Sequence, residues 1–320
     1  MKYKPASIAL KDVDVDDTGL RITTRSSVED ILPSIIDQGI INPPILLIKN
    51  GSYSIVTGFR RMFACMHLNI KAVDARVIRP DKMSPLEIAK IAIGDNTMQR
   101  TLNLVEETNA LNLLSAYVED DKTFAMTARS LGLPDNVTLT RKIKRLSNLP
   151  ESTLSSVAGG RISLAIALEL CTIEKEAAGR AVALFETLKT GYNKQREILL
   201  NLVEIAKRED ITVTDIFNDT AFNSIINNPD IESAVKSQSV RTYLKERRFP
   251  EISKAEKTYN ARMKKLTLNA NMKLLPPRSF EGEEFELSFR FKDLTDLKYH
   301  RDELNRLIGH PEMADILLKH

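Results

Sequence analysis

Residues 45–67, ILLIKNGSYSIVTGFRRMFACMH, contain two apolar runs that a turn signal separates. The run Ile45–Ile48 predicts a strand, and Asn50-Gly51 is a dipeptide typical of two-residue hairpin turns. The run Tyr53–Val56 predicts the returning strand. Gly58 then separates that strand from a predicted helix, so this stretch indicates a mixed α/β domain.

Predicted elements continue on both sides of this stretch. Residues 28–38 predict a short amphipathic helix, and residues 72–78 predict a further strand. From Pro85 to about residue 220 the chain reads as short helices separated by polar, glycine or proline breaks. Near the C-terminus, residues 285–291 alternate between apolar and polar side chains as in a half-buried strand, and residues 294–308 predict a helix.

The predicted fold class is therefore α+β with several domains, as a chain of 320 residues favours. We expect four parts in chain order: an N-terminal α/β domain at 1–83, a helical domain at 84–230, a charged linker at 231–265 and a ββα domain at 266–320.

Composition narrows the class of protein. The chain is 42% hydrophobic and 28% charged, which is typical of a folded globular protein. It has no run of 18 apolar residues and no signal-peptide pattern at its start, so we expect neither a membrane partner nor secretion. The two cysteines, Cys65 and Cys171, have no partner at metal-ligand spacing, and a cytoplasmic location is expected.

Positive charge is concentrated although the formal net charge is only +3. Residues 136–148 hold four basic residues and no acid, a local charge of +4. Residues 236–265 hold ten basic residues against three glutamates, a local charge of +7. Such runs favour a nucleic-acid binder, because cations that neutralise phosphates supply most non-specific affinity. A solvated helix face is the alternative interpretation of each run.

A helix pair within residues 123–147 has the length and punctuation of a helix-turn-helix. Its second helix would present polar and basic side chains to the major groove, while Leu139, Ile143 and Leu146 would pack inward. The candidate DNA-binding residues are Thr138, Thr140, Arg141, Lys142, Lys144 and Arg145. An ordinary helical hairpin is the alternative.

Two short motifs could hold a phosphate group or a metal ion bound to it. TGFRR, residues 57–61, places a glycine between a strand and a helix, where backbone amides can approach a phosphate. GDNTMQR, residues 94–100, offers Asp95 and Asn96 to a hard cation and Arg100 to a phosphate. A turn glycine with surface arginines and a solvated helix end are the plain alternatives.

In this order the segments resemble the ParB/Spo0J chromosome- and plasmid-partition family. Residues 27–78 look like its N-terminal domain, which is sulfiredoxin-like in fold, and residues 94–111 are similar to its ENxQR segment and the following helix. Residues 123–150 resemble the family's helix-turn-helix and residues 159–170 its next helix. The C-terminal two strands and helix resemble its dimerisation domain.

This resemblance implies a CTP-binding domain that clamps on DNA. Gly58, Arg60 and Arg61 match the GERR motif, Asp95 and Asn96 match the acidic-Asn pair, and Gln99 and Arg100 match the QR pair if one residue is inserted. These residues would hold CTP and Mg²⁺, with Asp95 and Asn96 at the metal. The resemblance also implies a homodimer, a palindromic parS-like operator in double-stranded DNA, a ParA-type ATPase as partner and a nucleoid-associated location.

The motifs depart from the family pattern at one important position. Phe59 stands where the GERR motif has glutamate, which leaves open whether the protein is a CTPase. One alternative is therefore a ParB-like transcriptional or replication regulator that binds DNA without nucleotide switching. A second alternative is an enzyme, such as a nuclease or phosphotransferase, built on the same N-terminal fold.

Overall fold

The structure is a computed structural model that describes residues 3–318. The strands are β1 Lys4–Ala9, β2 Val13–Asp14, β3 Ile45–Lys49, β4 Ser52–Thr57, β5 Ala72–Ile78, β6 Met272–Leu275 and β7 Glu286–Phe289. The first nine helices are α1 Leu32–Gln38, α2 Phe59–His67, α3 Pro85–Thr97, α4 Leu104–Ser115, α5 Asp121–Ser130, α6 Val137–Lys144, α7 Glu151–Ala158, α8 Leu164–Leu170 and α9 Lys175–Thr187. The others are α10 Tyr192–Glu209, α11 Val213–Asn218, α12 Thr220–Ile226, α13 Ser233–Arg248, α14 Pro250–Leu266, α15 Leu294–Ile308 and α16 Pro311–Leu318. The predicted α+β class is confirmed.

The chain forms two compact units. The first comprises residues up to 187 together with 191–196, and the second comprises residues 188–190 and those from 197 onward. The four predicted domain boundaries stay a prediction. No helix within residues 3–318 is long and apolar enough to cross a lipid bilayer.

A five-stranded mixed sheet opens the first unit, with the strand order β1-β5-β3-β4-β2. The predicted hairpin is present, since Lys49 pairs with Ser52 and both Asn50 and Gly51 have positive φ, as a tight two-residue hairpin turn needs. Strand β1 pairs antiparallel with β5 and was not predicted, because its sequence KPASIA is short and weakly apolar.

The sheet and α2 bury one apolar cluster, which includes Leu46, Ile55, Met62 and Cys65. Strand β4 ends at Thr57 and α2 begins two residues later at Phe59. Gly58 alone therefore connects them, so the first turn of α2 lies at the end of the sheet.

Helices α3 to α8 complete most of the first unit around a second cluster. Leu111, Leu114, Phe124 and Ile143 are buried in it, and Ile22, from the segment between β2 and α1, packs there too. This segment therefore belongs to the helical core although it lies within the N-terminal domain by sequence.

The second unit contains a two-stranded antiparallel sheet in which Met272 pairs with Phe289. Leu266, Met272, Leu274, Leu307 and Ile316 form its C-terminal core. The predicted ββα pattern is present, and α16 follows it as a helix that the sequence patterns did not indicate. The charged stretch 231–265 is largely helical, as α13 and α14.

Candidate functional site

The junction of β4 and α2 has the geometry of an anion-binding turn. Gly58 is the N-cap residue of α2 with φ of +89°, and no side chain caps the helix. Its carbonyl accepts from the backbone N–H of Met62, so the first-turn N–H groups before Met62 have no partner within the helix. A helix N-terminus of this kind attracts negative charge.

Glycine is required at this junction. A Cβ atom at position 58 would lie 3.0 Å from Cβ of Pro44 and 3.1 Å from Nη2 of Arg61, and the positive φ would be strained for another residue. The side chain of Arg61 therefore lies directly beside the backbone at Gly58.

The two arginines of the motif lie in different surroundings. Arg60 donates from Nε to the carbonyl of Ser27 at 2.9 Å and forms an ion pair with Asp30. Arg61 donates to the carbonyl of Asn42, and its Nη2 lies 3.8 Å from the Asp95 carboxylate. Burial lowers the pKa of Arg61 and Asp95 partly offsets this, so the cation would gain from a further negative charge.

Asp95 joins this group from helix α3. Its other oxygen accepts from Nε2 of Gln99 at 3.0 Å, so Gly58, Arg61, Asp95 and Gln99 are connected in space as predicted residues of one site. The side-chain amide of Asn96 instead donates to the carbonyl of Ala92 in its own helix at 2.9 Å.

Arg100 lies in a different cluster. Its guanidinium donates to the Glu106 carboxylate at 2.5 and 2.8 Å and to the hydroxyl of Thr23 at 3.3 Å. The same guanidinium also reaches the carbonyl of Thr101 at 3.4 Å. In this conformation Arg100 is therefore occupied by a buried acid, away from the group around Gly58 and Asp95.

Phe59, which replaces the motif's glutamate, is a core residue. It is buried against the sheet, with its ring centroid 6.4 Å from that of Phe63. The position that would carry a carboxylate thus contributes packing and no acid.

A magnesium ion fits this site only together with phosphate ligands. Within residues 3–318 no cluster of three or more His, Cys, Asp or Glu side chains could hold a metal ion. Asp95 supplies one carboxylate, and Mg²⁺ is commonly held by one or two carboxylates, water and substrate phosphates. The donor set is therefore suited to an ion that a nucleotide brings with it.

The predicted helix-turn-helix corresponds to α5 and α6. The Asp120 side chain caps α5 by accepting from the N–H of Thr123 at 2.7 Å, and Asn136 caps α6 by accepting from that of Leu139 at 2.9 Å. Gly132, with φ of +71°, lies in the connecting turn. Side-chain caps thus define where both helices begin.

The inward face of α6 differs from the predicted one. Thr140 is 3% exposed and its hydroxyl donates to the carbonyl of Pro134, whereas Leu139 is 37% exposed. The prediction that Leu139 packs inward is wrong. Thr140 and Ile143, three residues apart, lie on the same buried side of α6, and Leu146 in the following 3₁₀ turn Arg145–Asn148 is buried as well. Thr140 is therefore the one candidate DNA-binding residue that points into the core.

The remaining candidates on this helix are accessible. Thr138, Lys142 and Arg145 are exposed, and Arg141 forms an exposed ion pair with Asp121 at 2.7 Å. Lys144 lies 5.8 Å from the ring centroid of Phe124. Among residues 3–318, no carboxylate pairs with Lys142, Lys144 or Arg145.

The cluster around Glu106 was not predicted from the sequence. A signal was present, since Asn103 and Glu106 have the spacing of a capping box, and the structure contains that box. The spacing predicts a helix start, but it does not show that the glutamate also receives Arg100 and the segment at residues 23–24.

The N-terminal part of the chain is similar to a known domain family. Residues 7–96 match the family model of the ParB N-terminal domain. Over 215 residues the chain is 26% identical to a probable plasmid-partitioning protein ParB of Thermus thermophilus, covering 57% of this chain and 70% of that protein. Over 185 residues it is 26% identical to the chromosome-partitioning protein Spo0J of the same organism, covering 58% of this chain and 65% of that protein.

Solved structures give a weaker likeness. C-terminally truncated ParB from Caulobacter crescentus complexed with CTP-γ-S is 21% identical, covers 55% of this chain and 98% of that one, and has a TM-score of 0.27. The same protein complexed to its centromeric parS site is 18% identical, covers 56% and 91%, and has a TM-score of 0.32. Both TM-scores lie below 0.5, so the fold class follows from the helices and strands of this chain and not from these structures.

Proposed function

We propose that this chain, which carries a ParB N-terminal domain at residues 7–96 and is related to the ParB/Spo0J partition proteins, is a DNA-binding partition protein switched by a nucleotide. Helix α6 loads it at a palindromic, parS-like site. CTP with Mg²⁺ binds at the β4–α2 junction and favours a closed clamp on DNA. The observation that carries the proposal is the uncapped N-terminus of α2 at Gly58, with Arg61 and Asp95 beside it.

Each group at this junction makes a different contact with the triphosphate or its metal ion. The first-turn N–H groups of α2 donate to phosphate oxygens, Arg61 supplies a half-buried positive charge, and Asp95 contributes a ligand to the metal ion. Arg60 is held by Ser27 and Asp30 and would have to exchange Asp30 for a phosphate. Such a switch requires only that the closed state binds nucleotide more tightly than the open state.

Isothermal titration of CTP, ATP, GTP and UTP with Mg²⁺ tests the nucleotide part. We expect selective binding of CTP that DNA strengthens. Both Arg60→Ala and Arg61→Ala should cost about 1.5–3 kcal/mol of nucleotide affinity, the usual range for a hydrogen bond to a charged group. Arg79→Ala is the matched control, because Arg79 is an exposed arginine of the same domain that forms an ion pair with the exposed Asp81. Wild-type protein that binds no triphosphate would contradict the switch.

Binding to DNA is proposed from Lys142, Lys144 and Arg145, which have no carboxylate partner in the described part of the chain. Selection of genomic fragments by the protein, followed by footprinting, should yield a palindromic site. A smooth distribution over all fragments, unchanged by competitor DNA, would contradict a specific operator.

Self-association is proposed from the second unit. Phe291, Leu294, Tyr299 and Ile308 are large apolar side chains that are at least half exposed there. A homodimer through residues 266–320 would cover such side chains. Sedimentation velocity should therefore show a dimer, and Leu294→Glu should shift it towards monomer. The related prediction of a ParA-type ATPase partner is tested by stimulation of that ATPase.

A regulator without nucleotide switching is the second candidate function. It is favoured by Phe59, because the buried ring offers no acid at the position of the motif's glutamate. Operator binding with no CTP binding would establish this alternative. CTP binding without phosphate release would instead leave the switch in place and exclude CTPase activity.

A further inference from the structure

Glu106 is a fully buried carboxylate at the start of α4, with 0% of its surface exposed. Its Oε1 accepts from the backbone N–H of Thr24 at 3.0 Å, and from the hydroxyls of Thr23 and Thr24 at 3.3 Å. Its Oε2 accepts from the N–H of Asn103 at 3.1 Å. Arg100 completes the set by donating to both oxygens. The chain thus supplies both the hydrogen-bond donors and the counter-charge that stabilise a buried carboxylate.

The charge of Glu106 is held in place by these donors. Burial on its own raises the pKa of Glu106, but the hydrogen bonds from Arg100, Asn103 and Thr24 outweigh it, and the pKa lies below its ordinary value. The carboxylate is therefore ionised at neutral pH and keeps Arg100 as its counter-charge. Removing one partner from such a buried pair leaves the other charge buried without a counter-charge, which is energetically costly. The pair is therefore expected to form or break as a unit.

Two segments of the first unit meet at this carboxylate. Thr23 and Thr24 come from the segment between β2 and α1, while Arg100 and Asn103 come from the segment between α3 and α4. The segment carrying Arg100 also carries Asp95 and Gln99, which lie beside Arg61. A displacement of residues 95–100 at the nucleotide site therefore acts directly on the pair of Arg100 and Glu106.

Helix α4 also contacts the proposed recognition helix. Two residues after Glu106, the hydroxyl of Thr108 donates to the carbonyl of Leu104 at 2.9 Å and lies 3.3 Å from the carbonyl of Ile143 in α6. Thr108 is buried, as is Ile143. The contacts from Asp95 through Arg100, Glu106 and α4 to α6 are thus continuous in space, as a coupling route requires.

We propose that Glu106 is a positioning residue that couples the nucleotide site to α6. It acts through Arg100 and Thr24, which it holds against the start of α4. Rupture of this cluster would free the segment at residues 22–24 and the start of α4 together. The coupling deepens the proposed function and rests on it.

Glu106→Gln tests the coupling, because glutamine keeps the size of the side chain and loses the charge and one acceptor. The readout is the ratio of CTP–Mg²⁺ dissociation constants measured without and with a duplex containing the selected operator. We expect the wild-type ratio to fall to within about twofold of one, while each separate affinity changes much less. A simple structural defect would weaken both affinities and leave their ratio unchanged.

Glu107→Gln is the matched control, since Glu107 is the next residue of the same helix and lies outside the cluster; it should keep the wild-type ratio. Arg100→Gln should abolish the coupling as Glu106→Gln does, and the double variant should be no worse than either. Wild-type coupling in Glu106→Gln, or an equal loss in Glu107→Gln, would overturn the proposal.

Hydrogen exchange of the full chain without ligands separates this proposal from the proposed function. Glu106→Gln should speed exchange at least tenfold in peptides covering residues 22–26 and also in those covering 137–146. Faster exchange in 22–26 alone would overturn the coupling even if CTP binds. Absence of CTP binding by wild-type protein would overturn the nucleotide switch, and the exchange data would still decide the link to α6. If Glu106→Gln does not fold, Thr23→Val removes one donor to the carboxylate and permits the same measurements.

Discussion

Helix α6 and the pair of helices α13 and α14 both carry runs of lysine and arginine, and their cations have different partners. On α6 and the turn after it, Lys142, Lys144 and Arg145 have no carboxylate partner among residues 3–318. Only Arg141 is paired, with the exposed Asp121. The local charge of this run therefore remains available to an external anion.

Five of the ten cations of α13 and α14 form ion pairs within the second unit. Ion pairs join Arg241 to Glu197, Lys245 to Glu256, Arg247 to Glu209 and Asp219, Lys257 to Glu246, and Lys265 to Glu312. Some of these acids come from residues far away in the chain. The larger local charge of the second run is thus a poorer sign of a binding surface than the smaller charge of the first. A basic run indicates an interface only where no acid folds against it.

The largest effect should come from the buried side of α6. Ile143→Ala removes a side chain that is 2% exposed and should cost about 2–5 kcal/mol of unfolding free energy in the first unit. Urea unfolding measures this loss, and DNA binding should fall with it. Leu139→Ala is the control, because an exposed site on the same helix should change stability by no more than about 0.5 kcal/mol. Equal losses at both positions would show that the register of α6 is wrong.

The next largest effect is on DNA affinity, and it should differ between the two basic runs. Combined alanine substitution of Lys142, Lys144 and Arg145 should weaken DNA binding on the order of 10–100-fold and reduce the salt slope by up to about 2.7, since each lost phosphate contact removes about 0.9. The control combines Lys245→Ala, Lys257→Ala and Lys265→Ala, which removes three paired cations. Fluorescence anisotropy over a salt series measures both. A larger effect in the control would reverse the comparison.

A smaller effect tests whether the pairs of the second run are structural. Arg247 donates to Glu209 at 2.7 Å and to Asp219 at 3.3 Å, and all three side chains are partly buried. Arg247→Met leaves both acids without this cation and should cost about 1–2 kcal/mol, between the values for surface and buried pairs. Lys257→Met, at an exposed pair, should cost less than about 0.5 kcal/mol. Thermal unfolding of the second unit compares them.

The smallest effect is a pH dependence in the same cluster. The hydrogen bond from Arg247 lowers the pKa of Glu209 below its ordinary value. The folded state therefore binds this proton less readily, so the stabilisation is present above the unfolded pKa of about 4.3 and is lost as the pH falls through the folded pKa. Tm between pH 3 and pH 7 should fall at the acid end, and Glu209→Gln should flatten the curve. The triple variant in α6, which has no such acid, should keep the wild-type pH dependence.

Much of the N-terminal fold could be predicted because its signals are local. Asn50 and Gly51 form the turn that their dipeptide predicts, and Gly58 separates β4 from α2 as its position between two predicted elements indicates. Residues 72–78 form the predicted strand. The connection of Arg61 with Asp95, in contrast, joins residues 34 positions apart and was expected only from family resemblance.

Two positions make contacts that the sequence patterns did not indicate. Leu139 was expected in the core because its spacing from Ile143 suits an α-helix, but Thr140 lies on the packed side instead, with its hydroxyl bonded to the carbonyl of Pro134. The role of Arg100 at a phosphate stays a prediction, and in this structure its guanidinium donates to Glu106 and Thr23. The periodicity of a single helix predicts neither the burial of Thr140 nor the contacts of Arg100.

From the residues alone one can read the hairpin, the glycine junction, the helix caps and the alternating strand near the C-terminus, because backbone preferences and short-range hydrogen bonds set them. The tertiary structure decides which side chains pair with each charged group. Glu106 accepts a hydrogen bond from Thr24, 82 residues away, and Arg247 pairs with Glu209, 38 residues away. Within the described residues 3–318, no acid pairs with Lys142. Coulomb energy depends on distance in space and on burial, and the position along the chain specifies neither.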